Sequence, residues 1–89
     1  MVGVELTLVG KPGCHLCDEA RAVVEQVLAG LASEPAAPAV TLSEVSILED
    51  SELHERFVEE IPVVLVDGRV HTYWRVDPDR LRRALLERA

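Results

Sequence analysis

The sequence predicts an α/β fold, a mixed four-stranded sheet flanked by three helices, and three observations carry that prediction. Short β-branched runs alternate with segments whose apolar residues recur every three or four positions. Asp67-Gly68 lies between two apolar runs, where it favours the positive φ angles of a tight hairpin. With 89 residues, the chain has room for one modest core and therefore for one domain, taken as residues 1–89.

Taken in order, Val4 to Val9 is aliphatic or β-branched with partial alternation, and Gly10-Lys11-Pro12-Gly13 ends the run with turn chemistry. Ala20, Val23, Val24, Val27 and Leu28 then recur at helical spacing, which predicts a helix from near Cys14 to near Gly30. Glu34 to Ala39, with Pro35 and Pro38, reads as a surface connection. Val40, Leu42, Val45 and Ile47 form a second strand of imperfect alternation. Asp50 and Ser51 are candidate caps for a short helix carrying Leu53 and Phe57 on one side, and Pro62 forbids its continuation. Val63–Val66 and Val70–Trp74 are the arms of an antiparallel hairpin. Asp77-Pro78 supplies an N-cap and a first-turn proline for a last helix bearing Leu81, Ala84 and Leu85. The strand–helix–strand crossover implies a parallel pair and the hairpin an antiparallel one, so the sheet is mixed.

Composition narrows the function. At 48% hydrophobic and 28% charged residues the chain is globular rather than disordered. A formal charge of −7 repels phosphate backbones and anionic headgroups, so neither nucleic acid nor membrane is an expected partner. Phe57, Tyr73 and Trp74 are too few aromatics for a base-stacking surface. The N-terminal residues lack the pattern of a signal peptide and no apolar run reaches spanning length, so a cytoplasmic location is expected.

The chemistry concentrates at Cys14-His15-Leu16-Cys17. Residues three apart in a first helical turn are neighbours, so the two thiols can close a disulfide reversibly. Cys14 at the helix N-cap is the expected nucleophile, because the dipole and free N–H groups there favour a thiolate. Cys17, one turn inside, is expected to be less exposed and to act as the resolving thiol. Lys11 and a protonated His15 favour the Cys14 thiolate and Asp18 and Glu19 oppose it, for a moderate expected lowering of its pKa. Two other readings remain open on the residues alone: iron–sulfur or zinc binding through the same cysteines, and a redox-inert interaction module. His15, His54 and His71 have no metal-ligand spacing, so no metal site is assigned. His54 and His71 are read as structural, and Phe57 and Trp74 as core.

Lys11-Pro12-Gly13-Cys14-His15-Leu16-Cys17, Ile61-Pro62 before a strand and Asp67-Gly68 in a hairpin together resemble the glutaredoxin branch of the thioredoxin superfamily. The nearest resemblance is to short bacterial glutaredoxin-like proteins with a Cys-His-Leu-Cys motif, and the element order agrees along nearly the whole chain. The resemblance implies a thioredoxin-like fold and a thiol–disulfide oxidoreductase. It also implies that Pro62 is a cis-proline beside the dithiol and that the Ile61 backbone offers strand-like hydrogen bonds to substrate. Lys11 and His15 are the expected tuning residues. Substrates are disulfide-containing proteins or small thiol compounds; no tightly bound cofactor is expected, with glutathione or a thioredoxin system as the donor. Typical glutaredoxins follow the hairpin with Gly-Gly, a small polar residue and Asp, which hold the glutamyl end of glutathione. This chain has Thr72-Tyr73-Trp74-Arg75-Val76-Asp77-Pro78 there, without the Gly-Gly and with Asp77 read as a helix cap, so the resemblance does not extend to glutathione specificity. Arg75 is either a partial substitute for the lost anion site or a solvated surface residue.

Overall fold

Val63–Val66, the third strand, is buried at every position, and its two sets of alternate side chains show how the layers are arranged. In the computed structural model, which describes residues 3–88, the elements are β1 (Val4–Gly10), α1 (His15–Leu31), β2 (Val40–Ser46), α2 (Ser51–Phe57), β3 (Val63–Val66), β4 (Arg69–Tyr73) and α3 (Pro78–Leu86). Met1, Val2 and Ala89, the ends of the expected 1–89 domain, lie outside the described residues. The sheet order is β2-β1-β3-β4, with β1 parallel to β2 and antiparallel to β3, and β3 antiparallel to β4. This is the expected mixed four-stranded sheet with three helices.

Because successive strand side chains point to opposite faces, β3 divides its burial between two cores. Val64 and Val66 join Val4, Leu6 and Leu8 of β1, Ala20, Val24, Val27 and Leu31 of α1, and Leu81 and Leu85 of α3. Val63 and Leu65 join Val9, Ile47 and Phe57 under the short α2. The imperfect alternation of β1 has its cause here: α2 reaches Val9 but not Glu5, which is left exposed on the same face.

Local signals set most boundaries. Asp50 Oδ1 accepts the N–H groups of Glu52 and Leu53 at 2.9 and 3.1 Å, and Asp77 Oδ1 those of Asp79 and Arg80 at 3.0 and 3.2 Å, so both helices begin at aspartate caps. Asp67 and Gly68 take φ of 50° and 83°, which joins β3 to β4 by a two-residue turn whose twist matches the strands. Leu65 faces Val70 and Val64 faces Thr72, so His71 is the extra residue of a β-bulge.

Two boundaries differ from expectation. Ile47 falls just past β2, where its N–H bonds to the Gly10 carbonyl at 2.9 Å and its side chain enters the smaller core. Trp74 is outside β4 and is not core: it is 55% exposed, with φ of 61°. The positive φ breaks the strand's alternation and turns the chain outward, so the indole lies on the surface with its N–H toward the Glu59 carbonyl at 3.4 Å. Phe57 is core, as expected. No helix among the described residues is long and apolar enough to cross a membrane.

Candidate active site

The site begins with a turn that cannot be helical. Pro12 has a fixed φ and no N–H, and Gly13 adopts φ of +74°, a region closed to most side chains, so α1 cannot start before Cys14. Cys14 is the N-cap, with extended backbone angles (φ −91°, ψ 112°). Its Sγ accepts the Cys17 N–H at 3.2 Å, and its carbonyl accepts the Asp18 N–H at 3.1 Å. A sulfur thus fills the capping place that a serine or aspartate oxygen takes elsewhere, at the positive end of a 17-residue helix.

Cys14 and Cys17 form a disulfide, their Cα atoms 5.2 Å apart. The sulfurs differ in surroundings: Cys14 is half-buried, whereas Cys17 is only 3% exposed. One cause is a residue that the sequence reading treated as a turn former. Gly10 ends β1, and a Cβ built on it would lie 2.8 Å from Cys17 Sγ and 3.2 Å from Cys17 Cβ. Its lack of a side chain makes space for the inner sulfur. The signal in the sequence was a glycine closing an apolar strand, a place where glycine also marks the close approach of another group.

Ile61 and Pro62 lie at this same end of the sheet. Val9 pairs with Val63, so Pro62 is one step beyond that pair, beside the strand end where Gly10 meets Cys17. The Ile61–Pro62 bond is cis, as the resemblance implies; Pro62 is buried, and Ile61 packs against the smaller core. Lys11 is exposed on the rim of a cleft of about 230 Å³ that reaches Cys17 between α1 and β2. Across that cleft Arg21 donates to Glu44 and, at 3.1 Å, to Asp18, tying α1 to the edge strand. These bonds, the one to Glu44 foremost, raise the Arg21 pKa above its ordinary value.

His15 is exposed at the first position of α1, and His54 is exposed on α2. His71 is half-buried on β4, with an Nε2 that has no hydrogen-bond partner among the described residues. Burial lowers its pKa and repulsion from Arg80 adds to this, while Asp77 opposes both. Among the described residues, no three His, Cys, Asp or Glu side chains are grouped to hold a metal ion.

The segment after β4 is the second feature that sequence reasoning missed. The Trp74 N–H donates to the Pro62 carbonyl at 2.7 Å, and the Arg75 N–H to the Tyr73 carbonyl at 2.6 Å. The second bond closes a three-residue turn about Trp74 at φ 61°, the rare positive-φ form of the γ-turn. Trp74, Arg75 and Val76 thereby face Leu16, the residue between the two cysteines, across a shallow concavity. Arg75, offered as a substitute anion site or a solvated residue, is exposed on its rim opposite Glu19.

Comparison with known proteins agrees with this arrangement. Residues 5–86 match the family described as Glutaredoxin-like domain (DUF836). The chain is 38% identical over 81 residues to the uncharacterized protein Rv0508 of Mycobacterium tuberculosis, an alignment covering 88% of this chain and 78% of that protein. The X-ray structure of the structural-genomics target XcR50 from X. campestris superposes with a TM-score of 0.68 at 33% identity, covering 94% of this chain and 97% of that one. A mutant thioredoxin from Halobacterium salinarum superposes at 0.63 with 20% identity, over 94% of this chain and 73% of that chain, a likeness of fold.

Proposed function

This chain belongs to the glutaredoxin-like domain family of the thioredoxin superfamily, and from that premise we propose that it is a thiol–disulfide oxidoreductase cycling Cys14 and Cys17 between dithiol and disulfide. The observation that carries the reading is the position of Cys14 as helix N-cap, with the Cys17 N–H directed at its sulfur. A thiolate there gains a hydrogen bond and the favourable end of the helix dipole, so Cys14 is the nucleophile.

The Cys14 thiolate attacks one sulfur of a substrate disulfide R–S–S–R′. A Cys14–S–R bond forms, the substrate S–S bond breaks, and R′–S⁻ leaves and takes a proton. Cys17 then loses its proton and attacks Cys14 Sγ, which expels R–S⁻ and closes the Cys14–Cys17 bond. Two electrons pass from the protein dithiol to the substrate, and an external thiol donor returns them. Burial of Cys17 shields it from the first exchange and leaves it 5.2 Å, Cα to Cα, from the residue it must resolve.

In this reading the Ile61 backbone holds an extended substrate beside the sulfurs and Pro62 fixes that backbone, while Lys11 adds positive charge near the reactive thiolate and the His15 imidazole stands next to it at the first position of the helix. No tightly bound cofactor is required. The donor is glutathione or a thioredoxin system, and the activity belongs in the reducing cytoplasm, where an exchangeable pair of cysteines can turn over.

The test uses two variants. Cys14→Ser abolishes disulfide reduction, whereas Cys17→Ser still attacks and accumulates a mixed disulfide detectable by mass spectrometry. Undiminished reduction by Cys14→Ser refutes the assignment. Turnover with glutathione and with a thioredoxin system, measured side by side, identifies the donor.

A further inference from the structure

Leu16 and Trp74 are large apolar side chains left 40% and 55% exposed, and they form opposite walls of the concavity closed by Ala20, Val23 and Val76. An exposed indole next to an exposed leucine is unfavourable in water unless something covers it. The indole is also held in place at a cost. A bulky residue at φ 61° is a backbone outlier, maintained by the Trp74 N–H bond to Pro62, the Arg75 N–H bond to Tyr73 and the indole contact with Glu59. Conformations of this kind persist where the surroundings over-determine them, and they cluster at ligand-binding positions.

Three properties define what fits. The concavity measures about 160 Å³, below the roughly 300–1,000 Å³ of sites that enclose a whole small ligand, so it suits one side chain of a larger molecule. Its rim carries one anion, Glu19, and one cation, Arg75, so local charge selects neither sign. The protein as a whole carries −7, which disfavours polyanionic ligands at long range. Disulfide glutathione fits poorly, having no apolar side chain to seat and a net negative charge, four carboxylates against two ammonium groups. The neighbouring N-terminus of α3, an obvious place for such a carboxylate, is already occupied by the Asp77 side chain, which accepts the Asp79 and Arg80 N–H groups.

We infer that the Leu16–Trp74 concavity is a subsite for an apolar side chain flanking the reactive cysteine of a neutral or basic polypeptide disulfide. It is thus the specificity element of the proposed oxidoreductase and rests on that reading. Its position follows from the site: Leu16 lies between the two sulfurs, and Trp74 is bonded to Pro62. A substrate extended along Ile61–Pro62 with its cysteine at Cys14 can therefore seat a neighbouring residue on the indole.

The test is single-turnover reduction by the reduced, full-length protein of two neutral peptide disulfides that differ only in leucine or glycine beside the cysteine. Glutathione disulfide and the disulfide of mercaptoethanol are run in parallel. Wild type favours the leucine peptide by about tenfold in rate constant at limiting substrate, as partial burial of one aliphatic side chain requires. Trp74→Gly, which suits the positive φ, brings the leucine-to-glycine ratio close to one; Trp74→Phe retains most of it; Leu16→Ala, on the opposite wall, also lowers it. A purely structural role for these residues would slow both peptides alike and leave the ratio unchanged. Equal wild-type rates for the two peptides, or glutathione disulfide reduced as fast as the leucine peptide, overturns the inference while reduction of the mercaptoethanol disulfide keeps the oxidoreductase reading intact. If no disulfide is reduced at all, both fall.

Discussion

Trp74 offers a test of the backbone that is independent of any substrate. At φ 61° an L-residue bears about 1–2 kcal/mol of steric cost that glycine does not. At an ordinary position alanine is instead the more stable of the two, by about 0.5–1 kcal/mol, because glycine loses more conformational freedom on folding. Trp74→Ala and Trp74→Gly both remove the exposed indole, its packing contacts and its N–H contact with Glu59, so those losses cancel in the comparison. What remains is the backbone difference, and it reverses the usual order: at the centre of these ranges Trp74→Gly is more stable than Trp74→Ala by about 0.75 kcal/mol. For a domain of this size that is roughly 3–6 °C in Tm. Thermal melts and urea titrations of both variants in the oxidised form measure it. Equal stabilities, or Trp74→Ala the more stable, would show that the chain does not hold residue 74 in the left-handed region. The description of the turn as a strained recognition element would then be wrong.

Other consequences can be checked with single substitutions. Gly10→Ala places a methyl group 2.8 Å from Cys17 Sγ, a sulfur that the disulfide tethers and the dithiol does not, so the variant disfavours the oxidised form by about 1 kcal/mol. That raises the reduction potential by about 20 mV in glutathione redox buffers, and an unchanged potential would remove Gly10 from the site. For His71 the folded-state pKa lies below the ordinary value near 6.5, so the unfolded chain takes up the proton first as pH falls. Its contribution to stability is therefore present above about pH 6.5 and is lost as pH falls through the folded pKa. Urea midpoints measured from about pH 7.5 to about pH 5 decline less steeply in His71→Gln, and parallel declines would contradict the assignment. Asp77→Ala, which strips α3 of an acceptor for two N–H groups, loses about 1 kcal/mol by denaturant titration, while Asp77→Asn retains most of it.

Much of the fold was legible because its signals are local. Proline and aspartate at helix starts, Asp67-Gly68 at the hairpin and the three-and-four spacing of Ala20, Val24 and Val27 each act through neighbours within a turn or two, and each lies where the pattern placed it. The same holds for Cys14 as N-cap, since Pro12 and Gly13 fix the helix start by chain chemistry alone. Trp74 misled for a definite reason. Its apolar bulk and position at a strand end suggest burial, and composition carries no trace of the hydrogen bond from its N–H to Pro62, twelve residues earlier, or of the positive φ.

By itself, then, the sequence determined the element order, the caps, the hairpin and the pairing of two thiols on one helical turn, because these depend on residues close together in the chain. That Cys17 is the more buried sulfur followed from its place one turn inside the helix; the tertiary structure decided what makes room for it, Gly10 at the end of a different element, and which residues stand around the disulfide. The register of β1 against β3 brings Pro62 to the end of the sheet occupied by Gly10 and Cys17, and the Trp74–Pro62 bond then holds the turn after β4 in place opposite Leu16. Such contacts join residues on different elements, from Gly10 and Cys17 to Val9 and Val63 on paired strands, and exist only once the sheet has closed, so no local pattern could announce them.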